Sequence, residues 1–70
     1  MVRVEKPRSV DGNLNAVLDL QASTTADLPQ IGDEVGGYIV CAGSIAEIIQ
    51  SGVFATLDDD GKWYSGGSEV

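Results

Sequence analysis

Glycine spacing in the second half of the chain limits the elements that this sequence can form. From residue 32 onward no glycine-free stretch is longer than eight residues. Eight residues are short for a globular helix but fit a typical strand. The chain has 70 residues, which is enough for one small domain. We therefore expect a single domain that is mainly β.

A small antiparallel β-meander is predicted by three apolar segments, 44–50, 53–58 and 62–65, which two Gly-containing turns join. Before them, "GYIVCAG" at 37–43 has the β-branched and aromatic residues of a strand. "SIAEIIQSG" at 44–52 is ambiguous, because Ser44 and Glu47 have the spacing of a helical capping box whereas the isoleucines favour a strand. "LNAVLDLQA" at 14–22 fits either period, and its short length favours a strand. We expect about three to five short strands.

The two ends of the chain are predicted to lie outside this domain. Residues 1–13 carry three of the four basic side chains together with Pro7, and we expect a flexible basic N-terminal arm or a short edge strand that Pro7 ends. Residues 14–65 form the expected β domain, and 66–70 form a frayed tail. One short helical turn is predicted near residues 24–28, because Thr24 or Thr25 suits an N-cap and Pro29 disfavours helix at Leu28.

The charge balance restricts the partners. Eleven acidic and four basic residues give a formal net charge of −7, so most of the surface would repel a phosphate backbone or an anionic membrane. No apolar run approaches the roughly 20 residues of a membrane-spanning helix. The first ten residues, "MVRVEKPRSV", also lack the apolar core of a signal peptide. We expect no nucleic-acid partner, no membrane segment and synthesis in a host cytoplasm.

The inventory of reactive side chains argues against an enzyme. The chain has no histidine, and Cys41, its only cysteine, lies in an apolar run that predicts a buried and inert thiol. General bases are therefore limited to carboxylates. The sequence contains neither a zinc-ligand set nor a phosphate-binding loop. We expect no catalytic residue and no cofactor.

The stretch "TLDDDGKWYSGG" at 56–67 combines three aspartates with the only tryptophan. An EF-hand would need an acidic ligand five positions before Gly61, where Thr56 stands, so the spacing predicts no metal site. The aspartates and Gly61 instead predict a hairpin turn. Trp63 and Tyr64 would then face opposite sides of a strand. One ring would close the core and the other would lie exposed or at an interface, and a stacking platform for a ligand is the alternative.

The segment from Asp27 to Tyr64 resembles a small module of tailed-bacteriophage structural proteins. It runs from "ADLP" through a glycine-containing spacer and "GYIV" to "LDDDGKWY". Modules of this type occur in head-fibre, decoration and tail-fibre proteins. The basic N-terminal segment and "NAVLDL" depart from the pattern. The residues that match it are Asp27, Leu28, Pro29, Gly37, Tyr38, Val40, Gly61, Trp63 and Tyr64.

The resemblance implies a virion structural component that is non-enzymatic, commonly trimeric, and docked to other virion or capsid proteins. A thin core also favours burial of apolar strand surface against other copies. Two rival functions remain: a host-surface module that binds a glycan or peptide through Trp63 and Tyr64, and an acidic inhibitor that mimics nucleic acid. The residues expected at an interface are Arg3, Lys6, Arg8, Tyr38, Ile48, Phe54, Trp63 and Tyr64.

Overall fold

A computed structural model describes all residues from Met1 to Val70. The chain forms one mixed β-sheet. The expected β class is confirmed, but the sheet has eight strands rather than three to five, and it is not purely antiparallel. It contains one 3₁₀ turn, at Thr25–Asp27, and no α-helix. The strands are β1 Val2–Val10, β2 Asn15–Ala22, β3 Glu34–Val35, β4 Tyr38–Val40, β5 Ile45–Ile48, β6 Val53–Leu57, β7 Trp63–Ser65 and β8 Ser68–Glu69.

Strand β2 is the centre of the sheet. Its antiparallel partner β1 lies on one side, and β4 and β5 lie in succession on the other side, both parallel to it. The parallel pairing arises because the chain returns from the end of β2 to its start through residues 23–37 before entering β4. From β5 onward the chain continues as an antiparallel meander, in which β5–β6–β7 was expected and β8 was not.

The returning segment covers one face of the sheet, here called the inner face. Its Leu28 and Val35 pack into the core, and Pro29 accepts a hydrogen bond of 2.7 Å from the indole Nε1 of Trp63. Gly36 lies so close to β1 that a Cβ atom there would meet Val4 at 2.9 Å. Trp63 therefore closes the core from β7, as one of the two sequence interpretations predicted.

Alternation along β2 assigns side chains to the two faces. Ala16, Leu18, Leu20 and Ala22 are buried on the inner face, and the residues between them are only half-buried. Because one layer of chain covers only the inner face, the opposite face, here called the outer face, meets solvent. Only 13 of 70 residues are buried, which is what a sheet with one covered face produces.

A buried serine joins β2 to the break between β4 and β5. Ser44 is fully buried; its Oγ accepts a hydrogen bond from the Leu18 N–H at 3.0 Å and donates one to the Cys41 carbonyl at 2.7 Å. The Ser44 side chain thus replaces the backbone hydrogen bond that Leu18 would otherwise make to a neighbouring strand where the chain bends at 41–44. Ser44 does not cap a helix: the ambiguous segment forms β5.

Both chain ends differ from the predictions. Val2–Val10 is a nine-residue strand, so the flexible arm is wrong, and the alternative of an edge strand is right in type but too short. Pro7 does not end it, because register shifts between Val4 and Lys6 and between Pro7 and Ser9 let β1 continue along β2. The expected frayed tail contains β8, which pairs with β7 after a turn that Gly66 and Gly67 form with positive φ angles.

The two predicted turns are confirmed. The 3₁₀ turn lies within residues 24–28, where the Asp27 carboxylate accepts the Thr24 N–H at 3.2 Å and Leu28 adopts the extended geometry that precedes proline. At the β6–β7 turn Gly61 has a φ of 83° and donates its N–H to the Asp58 carbonyl at 3.0 Å. No helix in the structure is long and apolar enough to cross a membrane.

Candidate functional site

A row of four side chains crosses the outer face from β1 to β6. Strand register places Arg3 beside Gln21, Gln21 beside Glu47 and Glu47 beside Phe54. The Arg3 Nε donates to Gln21 Oε1 at 2.9 Å, and Gln21 Nε2 donates to Glu47 Oε1 at 3.0 Å. The row ends at Phe54, which is 62% exposed. A polar chain of hydrogen bonds thus leads to an aromatic ring in solvent.

A groove of about 310 Å³ lies beside this row. It extends over β1, β2, β5 and β6, so its residues come from four parts of the sequence. Its volume is at the lower end of the range for ligand pockets, about 300–1,000 Å³. The outer-face side chains that line it are Glu5, Asp19, Gln21, Ile45, Glu47 and Phe54.

The three carboxylates of the groove differ in their partners. Asp19 Oδ1 lies 2.8 Å from Arg8 Nε, and Arg8 continues across β2 to donate from Nη2 to the Gly43 carbonyl at 2.8 Å. Glu47 has only the neutral amide of Gln21. Glu5 makes no side-chain hydrogen bond or ion pair. Glu5 and Glu47 are therefore the two groove carboxylates without an ion pair, because Arg3 in the same row bonds to Gln21 and to neither of them.

A second polar pair connects the β6–β7 turn to the outer face. The Tyr64 hydroxyl donates to Asp60 Oδ2 at 2.6 Å, and Asp60 Oδ1 accepts the Lys62 N–H at 2.8 Å. The hydrogen bond to Asp60 raises the pKa of Tyr64 to about 12, and the same bond lowers the pKa of Asp60. The pair holds Tyr64 in place over the turn and performs no evident chemistry.

The predicted basic residues all lie on β1. Arg3 and Arg8 are committed to Gln21 and to Asp19 with Gly43. Lys6 is exposed and has no ionic partner. Arg3 and Arg8 therefore brace the sheet instead of extending from a flexible arm.

The predicted apolar and aromatic residues separate into three groups. Phe54 is exposed at the groove, and Tyr64 is half-buried on the outer face. Tyr38 is half-buried against the core. Ile48 was expected at an interface, but it is only 2% exposed because the alternation of β5 turns its side chain into the core. Trp63, 6% exposed, also lies in the core, and its indole N–H is used by Pro29, so its ring is not offered for stacking.

Most residues of the groove were not singled out from the sequence. Glu5, Asp19, Gln21 and Ile45 carry no motif and meet only through strand pairing. The one signal that could have found Asp19 and Gln21 is the polar half of the alternation in "NAVLDLQA". Glu47 was considered from the sequence only as a partner of Ser44 in a possible capping box, and the structure places it at the groove.

The other reactive groups form no site. No group of three or more His, Cys, Asp or Glu side chains is arranged to hold a metal ion. Cys41 is half-buried rather than fully buried, and its thiol lies 3.8 Å from the Ile39 carbonyl. Comparison with protein-family models, curated proteins and solved structures finds no match to this chain.

Proposed function

We propose that this chain is a non-enzymatic structural module of a bacteriophage virion, of head-fibre or capsid-decoration type. It acts by associating with copies of itself, as a trimer, and by docking to other virion proteins. The class of phage structural proteins is proposed because residues 27–64 resemble modules of such proteins. The observation that carries the docking part of the proposal is the uncovered outer face, where Phe54 is 62% exposed.

Two further features support an assembly role. Large apolar side chains are exposed at both ends of β2: Val10 and Leu14 near the β1–β2 turn, and Ile49 and Val53 at the β5–β6 hairpin. Monomeric proteins seldom expose clustered apolar surface unless it contacts a partner. The longest edge strand, β1, carries two bulges, a proline and three basic residues, which are features that oppose uncontrolled edge pairing. Association through faces and hairpin ends is therefore favoured over strand addition.

Sedimentation equilibrium tests the self-association directly. At micromolar concentration and physiological salt the proposal expects the mass of a trimer. The variant Ile49→Asp should shift the distribution toward the monomer, because a buried unpaired carboxylate is costly at an interface. Glu34→Gln, an exposed change on β3, is the control and should keep the trimer. A monomer at all concentrations would contradict self-association.

A further inference from the structure

We propose that the groove on the outer face receives an arginine or lysine side chain from an extended basic segment of a partner protein. The inference rests on the proposed structural role and identifies the chemistry of the partner. It starts from the composition of the groove: an exposed aromatic ring and an aliphatic side chain, Phe54 and Ile45, between carboxylates.

The charges select a cation. Arg8 already compensates Asp19, whereas Glu5 has no ionic partner and Glu47 has only a neutral amide. An anion would meet two like charges, and a purely apolar guest would leave two carboxylates partly desolvated. A cation on an apolar stem satisfies both features, because its stem lies along Ile45 and its head contacts Phe54 and the carboxylates.

The shape favours a side chain from an extended segment. A volume of about 310 Å³ is small for a ligand pocket, and the groove is open along the sheet. In an extended chain every second side chain faces the same way, so alternate basic residues could reach Glu5 on β1 and Glu47 on β5 together.

A second copy of this chain is a poor occupant. Each copy carries a net charge of −7, so two copies repel, whereas a basic partner is attracted over long distance. The copy's own basic residues are also largely committed, since Arg3 and Arg8 bind within the sheet. Self-association therefore uses the apolar residues exposed at the hairpin ends, such as Ile49 and Val53, and the groove on the outer face remains for a basic partner.

A peptide titration tests this assignment. The protein, labelled with ¹⁵N, is titrated with acetyl-GSRSRSG-amide and with the matched acetyl-GSESESG-amide at about 100 mM salt, where the Debye length is about 10 Å. The arginine peptide should shift the amide signals of Gln21, Ile45, Glu47 and Phe54 in a saturable way. The glutamate peptide should not. Shifts scattered over the whole acidic surface would overturn the proposal.

Matched variants separate the groove from general charge attraction. Glu47→Gln and Phe54→Ala should each weaken the arginine peptide by about threefold, the size of one exposed cation–π or ion-pair contact. Glu34→Gln removes the same charge away from the groove and should leave affinity unchanged. Equal losses in Glu47→Gln and Glu34→Gln would refute the site. Spermidine that matches the peptide in affinity and shift pattern would refute a protein segment as the occupant.

The groove assignment and the proposed virion role can fail independently of each other. Groove-specific binding by a chain that is absent from purified phage particles would leave the groove assignment standing and refute the virion role. A chain that is present in particles and does not bind the arginine peptide at the groove would refute only the groove assignment.

Discussion

Replacing Ser44 with alanine removes one hydroxyl and should destabilise the whole sheet. The Ser44 Oγ is the partner of the buried Leu18 N–H, while the Cys41 carbonyl keeps a second contact, the Ser44 N–H at 3.3 Å. The change therefore leaves one buried donor without a partner, which costs about 1–3 kcal/mol, and removes one further hydrogen bond worth about 1 kcal/mol. We expect a total loss of about 2–4 kcal/mol. A chain of this length has roughly 4–10 kcal/mol of stability to lose.

Urea and thermal unfolding, followed by the fluorescence of the buried Trp63, measure this loss. The midpoint temperature of Ser44→Ala should fall by roughly 10–20 °C. Ser68→Ala, an exposed serine on β8 without a side-chain hydrogen bond, is the control and should change little. Amide exchange at Leu18 should accelerate in Ser44→Ala beyond the global change. A loss below about 0.5 kcal/mol, within the range of ordinary surface changes, would refute the reasoning.

Three further changes test local features of the fold. Gly61→Val should cost about 1–2 kcal/mol in urea unfolding because its φ is 83°, whereas Gly12→Val, where φ is not positive and space is equally open, should cost much less; equal losses would contradict the turn. Leu14→Asn should stabilise the protein by up to about 1 kcal/mol, because Leu14 has a φ of 65° that asparagine tolerates better, and a destabilised variant would contradict this. Ultraviolet titration should show one tyrosine with a pKa of about 12, and Asp60→Asn should return it toward 10.0. The Asp60–Tyr64 contact contributes fully between the unfolded pKa values of 3.8 and 10.0, and it is lost as pH falls through the lowered pKa of Asp60 or rises through about 12; the absence of any tyrosine that titrates near 12 in the unmodified protein would refute the hydrogen bond.

Local patterns predicted the antiparallel meander but not how it joins the rest of the sheet. Glycine positions and alternation identified β4, β6, β7 and the turn at Gly61, because these features depend on residues close in sequence. The parallel pairing of β2 with β4 and β5 depends on where the segment 23–37 returns across the sheet, which no short pattern encodes. The part of β1 after Pro7 was missed because a proline normally ends a strand, whereas two register shifts accommodate Pro7 here.

The sequence predicted less of the groove than of the fold. Its side chains come from positions 5, 19, 21, 45, 47 and 54, and only strand register brings them together. Phe54 was expected at an interface and lies exposed beside the groove, while Trp63 and Ile48 were expected there and lie in the core. One-residue alternation decides this outcome, because a shift by one position exchanges the two faces of a strand.

Mass spectrometry of gradient-purified phage particles is the most direct test of the proposed role. The account predicts that this chain accompanies the particles at a fixed ratio to the major structural protein, and that the ratio survives high-salt washing in which loosely bound proteins are lost. A chain that is abundant in the infected-cell lysate and absent from purified particles would contradict the proposal that it is a virion structural module.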